Sequence, residues 1–187
     1  IDTKNGVKGL PSGLDFGKTI KYKTIGDKKG LYLDTSSDAV IVEGNKVGML
    51  QKYSIVANFY LDTSKGTQDA VSYPIVTESK VLANGFGNYF LSVMKASPDV
   101  NDKKYTIMFK MNGKGTALTS TSEYDNKWTN VVVVVDRIAR TQKLYVNGEL
   151  KTSLNTIDPA DSISDVTIGA MPDPDGQYHV EYFAGVI

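Results

Sequence analysis

The groups able to do chemistry in this chain are few and scattered. Glu43, Glu78, Glu123, Glu149 and Glu181 are the glutamates, and acid–base cleavage of a glycosidic bond needs two carboxyl groups on either side of the scissile linkage. His179 is the one histidine, and the Gly-x-Ser-x-Gly elbow that would supply a serine nucleophile is absent. With no cysteine in the chain, thiolate catalysis, disulfides and cysteine-based zinc sites are excluded. These residue types therefore point to binding rather than catalysis.

Two loops collect groups suited to binding. Gly85-Phe86-Gly87 is flanked by Asn84, Asn88 and Tyr89, which offer amides and an aromatic ring. A sugar is held by such a mixture, with its apolar face on a ring and its hydroxyls on amides. The third glycine and following helix of a dinucleotide fingerprint are missing. The second loop, Asp173-Pro174-Asp175-Gly176, leads into Tyr178 and His179. Asp-Pro and Asp-Gly are ordinary turn formers, and the ligand spacing of an EF-hand is absent. Asn84, Asn88, Tyr89, Tyr178 and His179 are the expected ligand contacts. Asp173 and Asp175 are the expected ligands of a calcium ion, the one cofactor considered.

The elements that must position these loops read as β-strands throughout. Short runs of Val, Ile, Thr, Tyr and Phe alternate with Gly, Asn, Asp and Lys, and no long 3.6-residue period occurs. Strands are expected over 19–25, 30–34, 39–42, 53–61, 74–78, 89–94, 105–111, 131–135, 143–146, 149–153, 166–168 and 179–187. The runs 30–34 and 39–42 are expected to pair, and 158–164 to hold one helical turn. The five consecutive valines at 131–135 lack polar alternation, which predicts a central strand covered on both faces. Asn147-Gly148 is the signature of a two-residue hairpin, whose type I′ turn needs positive φ at both positions. The sum is an all-β antiparallel two-sheet sandwich of one domain, 1–187, with 1–18 an extended segment packed on it.

Composition limits the partners. Lys+Arg and Asp+Glu are both 21, so the formal net charge is zero, against the basic excess of nucleic-acid binders. The longest apolar run is five residues, far short of a membrane span. Nucleic acid and membrane insertion are thus set aside.

The segment Trp128-x-x-Val131-Val-Val, with Leu144-Tyr145-Val146-Asn147-Gly148-Glu149-Leu150, resembles the laminin G-like and concanavalin A-like jelly rolls. Gly30-Leu31-Tyr32-Leu33-Asp34, Ala39-Val40-Ile41-Val42, Tyr53 to Phe59, Val166-Thr167-Ile168-Gly169 and Tyr182 to Ile187 resemble the opening and closing strands of that family. The resemblance covers about 30–187. It implies a concanavalin A-like jelly roll, with Trp128 packed in the core at a strand start. Glycosidases of this type carry E-x-D-x-x-E on one strand, and the expectation here is that no glutamate has an acidic partner at that spacing. The function implied is a non-catalytic, lectin-like carbohydrate-binding module of a secreted or cell-surface bacterial protein, its partner a glycan or surface glycoconjugate. The absence of cysteine and of N-x-[ST] sequons agrees with a bacterial source. A protein-adhesion module is the first alternative, with another protein as partner, and a glycoside hydrolase or its accessory domain the second.

Overall fold

The computed structural model describes residues 9–12, 21–34, 38–42, 50–65, 71–78, 89–97, 99, 102–111, 117–155, 165–172 and 179–187, with the backbone alone for 9–12, 172, 179 and 180. Strands dominate it. The first sheet is built from β1 (Gly9–Ser12), β4 (Ala39–Val42), β6 (Ser72–Glu78), β7 (Tyr89–Lys95), β8 (Tyr105–Met111), β9 (Leu118–Ser122) and β13 (Val166–Ile168). The second is built from β2 (Tyr22–Ile25), β3 (Lys28–Leu33), β5 (Lys52–Leu61), β10 (Trp128–Asp136), β11 (Thr141–Val146), β12 (Glu149–Leu154) and β16 (Gly185–Val186). A ribbon of β14 (Ala170–Pro172) and β15 (His179–Tyr182) packs against β6, where Thr77 Oγ1 donates to Ala170 O at 3.0 Å.

The strand orders are β1-β4-β13-β6-β7-β8-β9 and β12-β11-β10-β5-β16-β3-β2, with antiparallel neighbours throughout. This is the expected jelly-roll sandwich. Side chains alternate across each strand, so one parity of each sheet faces the other. On β8 Tyr105, Ile107, Phe109 and Met111 point inward; on β10 Thr129, Val131, Val133 and Val135 do. Phe59, Leu91, Ile107, Phe109, Val131, Val133 and Leu144 are fully buried between the sheets.

Two expectations are corrected. The runs at 30–34 and 39–42 do not pair: β3 and β4 belong to opposite sheets, so the chain crosses the sandwich between them. The valines of β10 are not covered on both faces. Val132 and Val134 stand half-buried on the outer surface, opposite Val56 and Ser54, and Val56 is 62% exposed. Strand β9, with its Thr and Ser, was not anticipated. The region 158–164 lies outside the described residues.

The turns carry the backbone conformations their residues allow. Asn147 and Gly148 have φ of 51° and 82°, as a type I′ turn requires. Gly185 has φ of 136°, and a Cβ there would collide with the Tyr60 carbonyl oxygen. Asp136 closes the turn after β10: its carboxylate accepts from the Ala139 amide at 2.8 Å and pairs with Lys52 Nζ at 2.8 Å. The amide, and then the lysine, hold the Asp136 carboxyl below its ordinary range.

Gly148→Ala should cost about 1–2 kcal/mol, the strain of an L-residue at positive φ in open space. Gly185→Ala should cost about 3–5 kcal/mol, because overpacking adds to the strain. Urea midpoints read both. An Asp136→Asn variant should melt lower than the parent at neutral pH. A depressed folded pKa gives stability above the unfolded carboxylate range, of about 4, that disappears as pH falls through the folded value. The melting gap should therefore close toward strongly acid pH, and a gap constant with pH would remove the charge from the explanation.

Candidate functional site

In the second sheet β16 lies between β3 and β5. Gly185 pairs with Leu33 of β3 and Leu61 of β5; Val186 pairs with Tyr32 and Tyr60. Ile187 exchanges backbone hydrogen bonds with Leu31, at 2.7 and 2.9 Å. Residues 28–29 of β3 and 55–58 of β5 line an opening beside it. A cavity of about 650 Å³ opens there. That size falls within the range of small-ligand sites.

Its lining has two parts. Ile55 and Ala57 of β5, Ile75 and Val76 of β6, Ile168 of β13 and Ile187 are aliphatic. Apart from Ile75 they are only partly buried, although Tyr53, Phe59 and Leu61 on the same inward face of β5 are buried. A register shift between Pro74 and Val76 accompanies the turning of both Ile75 and Val76 toward the opening. The mouth is different in character, formed by Lys28, Lys29, Val56, Asn58 and Trp128.

Trp128 spans the mouth. Its indole N–H donates to Ile25 O at 2.9 Å, on the β2 side of the opening, while its backbone belongs to β10 on the other. The Tyr60 ring meets it edge-on at 5.8 Å, and Lys28 Nζ sits 5.5 Å from its centroid. Two similar pairs lie on the β2–β3 hairpin: Lys23 over Tyr32 at 4.6 Å and Lys29 over Tyr22 at 5.5 Å. Amides flank the indole. Asn130 Nδ2 donates to Asn58 Oδ1 at 3.0 Å, and Tyr60 donates its hydroxyl to Asn126 Oδ1 at 3.3 Å. The expectation of a core Trp128 is thus corrected: the residue is half-buried and lies on the outer side of its strand.

Of the residues expected to bind, Tyr89 and the backbone of His179 are among the described residues. Tyr89 is 3% exposed, its ring 6.2 Å from Tyr53 and 6.1 Å from Phe109, so it fills the core and presents no face to a ligand. His179 opens β15, in register with Pro172. Asn84, Asn88, Asp173, Asp175 and Tyr178 lie outside the described residues. No group of three or more His, Cys, Asp or Glu suited to a metal occurs among the described residues.

The carboxylates are dispersed. Glu78 on β6 is fully buried. The Tyr53 hydroxyl is pushed far above the phenol range, by burial first and by Glu78 second. Glu149 pairs with Lys151 at 2.5 Å, and Glu181 lies on β15. Glu123 and Asp125 stand two positions apart, which corrects the expectation that no glutamate has an acidic partner at that spacing. Glu123, however, is exposed beside Lys127 at 3.5 Å, and Asp125 accepts from the Thr63 amide at 3.0 Å and from Asn126 at 2.9 Å. Neither lines the cavity.

Residues 34–187 match the Concanavalin A-like lectin/glucanases superfamily, as its Laminin_G_3 family. The chain belongs to this superfamily. No curated protein matches the chain by sequence. Among solved structures it is similar to the botulinum neurotoxin serotype D binding domain, at 16% identity and a TM-score of 0.60, covering 97% of this chain and 44% of that one. It is similar to the Ruminococcus gnavus IT-sialidase CBM40 bound to α2,3-sialyllactose, at 18% identity and a TM-score of 0.52, covering 75% and 74%. It is also similar to a SAP-like pentraxin of Limulus polyphemus, at 14% identity and a TM-score of 0.53, covering 73% and 60%. The chain thus spans less than half the length of the toxin chain. At these identities the likeness is one of fold. No helix among the described residues is long and apolar enough to cross a membrane.

The chain's one tryptophan lies at this mouth. Trp128→Phe should lower stability by about 1 kcal/mol, the worth of the lost bond to Ile25. Urea unfolding followed by far-ultraviolet circular dichroism checks this; an unchanged midpoint would mean that the bond is exchanged freely with water.

Proposed function

We propose that the chain is a non-catalytic carbohydrate-binding module of a secreted or surface protein, with the Trp128 rim as its contact surface. The observation that carries this reading is the grouping of an accessible indole, the Asn58–Asn130 amide pair and lysines at one opening. An indole offers a sugar its apolar face, and the amides exchange hydrogen bonds with hydroxyls. Lys28 and Lys29 make the rim locally cationic in a chain of zero net charge. The favoured ligand is therefore a glycan carrying a carboxylate or sulfate. Superfamily membership supports this, as does the likeness to a fold seen with sialyllactose. A bacterial origin remains part of the proposal, resting on the composition.

The absence of catalysis is likewise part of the reading. It is supported by carboxylates that lie on separate elements or are engaged by Lys127, Lys151, Thr63 and Asn126. One observation favours protein adhesion as a second reading: Val56, Val132 and Val134 form an uncovered apolar stripe on the second sheet.

A glycan array with sialylated, sulfated, uronic and neutral members tests the proposal. Acidic glycans should bind and quench or shift the Trp128 emission. Trp128→Ala should weaken binding by about tenfold or more, equivalent to about 1.4 kcal/mol. Lys28→Gln should weaken it a few-fold and flatten its salt dependence. Silence across the array would sink the carbohydrate reading and leave adhesion, and release of free sugar from a bound glycan would sink the non-catalytic one.

A further inference from the structure

The outer face of the second sheet continues past the Trp128 rim, and strand register orders the side chains on it. Along β10 the outward residues Trp128, Asn130, Val132 and Val134 are paired with Tyr60, Asn58, Val56 and Ser54 of β5. On the other side Val132 is paired with Tyr145 of β11 and Val134 with Lys143, and Tyr145 is paired in turn with Leu150 of β12. The face is thus a series of rows across the strands. Tyr60 and Trp128 form an aromatic row, Asn58 and Asn130 an amide row, and Val56, Val132, Tyr145 and Leu150 an apolar row that contains a second ring. Trp128 and Tyr145 are only half-buried, so each ring keeps part of its surface toward solvent.

Each ring has a lysine beside it. Lys28 Nζ is 5.5 Å from the Trp128 centroid, and Lys143 precedes Tyr145 by two positions, on the same side of β11. Among the described residues, the single outward acid of β5, β10 and β11 is Asp136, which is paired with Lys52 at 2.8 Å. The amides lie between these two stations. Asn130 Nδ2 donates to Asn58 Oδ1 at 3.0 Å, which leaves donors on Asn58 and an acceptor on Asn130 for a further partner. Four positions separate Trp128 from Val132, about 13 Å at the rise of a strand, and Tyr145 stands about 5 Å to the side. One sugar ring cannot span the two stations, whereas a chain of several can. The arrangement is also the reverse of a protein–protein interface, which gathers its aromatic anchors at a desolvated centre and leaves its polar groups at the rim.

We propose that the outer face of β5, β10 and β11 is an extended platform for a linear acidic polysaccharide lying along β10, with Tyr145 and Lys143 as its second station. The inference rests on the reading of the Trp128 rim as a glycan contact, and it narrows the ligand to a polymer in which a carboxylate or sulfate recurs along the chain. The two rings take the apolar faces of two sugars, and the Asn58–Asn130 pair exchanges hydrogen bonds with hydroxyls between them. Lys28 and Lys143 take an anionic group at either end. Once one station is filled, binding at the other is intramolecular, so affinity rises steeply when the chain is long enough to reach both.

Isothermal titration calorimetry tests this with oligomers of hyaluronan, polygalacturonate and chondroitin sulfate, each two or eight sugars long, and maltooctaose as the neutral control. In at least one acidic series the longer chain should bind at least tenfold more tightly than the shorter, and more tightly than maltooctaose. Tyr145→Ala and Lys143→Gln should each remove most of that length advantage, while Tyr145→Phe, which keeps the ring, should retain it. Melting temperatures show whether each variant is folded, and Lys143→Gln decides the matter where Tyr145→Ala is not. Equal affinity for the two lengths, or a length advantage unchanged in both Tyr145→Ala and Lys143→Gln, would overturn the platform and leave the rim reading standing. Equal binding of maltooctaose would overturn the acidic ligand. No binding at either length in any series would overturn the platform, and together with silence across the glycan array it would assign this face to a protein partner.

Discussion

Backbone pairing at β16 governs the site. A β-strand needs a neighbour on each edge to satisfy its amides and carbonyls, and Gly185 to Ile187 provide this between β3 and β5. Where they provide pairing, the sheet is closed and the residues behind it, Leu33 and Leu61, are buried. Farther along β5, Ile55 and Ala57 are only partly buried. The same three residues position the rim, because the Tyr60 row to which Val186 is bonded carries Trp128 on its other side. Gly185 makes the close approach possible at one end and Gly30 at the other.

Trp128 links the two halves of the site. Its backbone is fixed in the most regular part of the second sheet, β10, while its N–H reaches the carbonyl of Ile25 across the opening. One side chain therefore ties together segments that are not neighbours in the sheet. Lys28 over its ring and Tyr60 against its edge restrict the indole further. A rim held in this way is preorganised, so less side-chain entropy is lost when a ligand settles on it.

Much of the fold was legible because alternation is a local property. The inward set on β8 and the Asn147-Gly148 turn follow from neighbours in sequence and from the φ values those residues permit. What escaped depends on partners distant in the chain. Nothing in Gly30 to Asp34 or Ala39 to Val42 states that these runs lie in opposite sheets. A run of five valines reads the same whether its outer face is covered or, as at Val132 and Val134, left half-exposed. Tyr89 had the residue type of a ligand platform, but its parity on β7 turns it into the core beside Phe109. The rim itself joins β3, β5 and β10, and no sequence window contains all three. A usable signal did exist: Asn58 and Asn130 fall at outward positions of two long, largely apolar strands.

The two parts of the cavity divide the possible ligands by solvation. A sugar ring has one apolar face and a periphery of hydroxyls, so it gains most where an aromatic surface adjoins amides and water. That is the situation at the mouth. Its hydroxyls would lose their hydration without compensation among Ile55, Ile75, Val76 and Ile168.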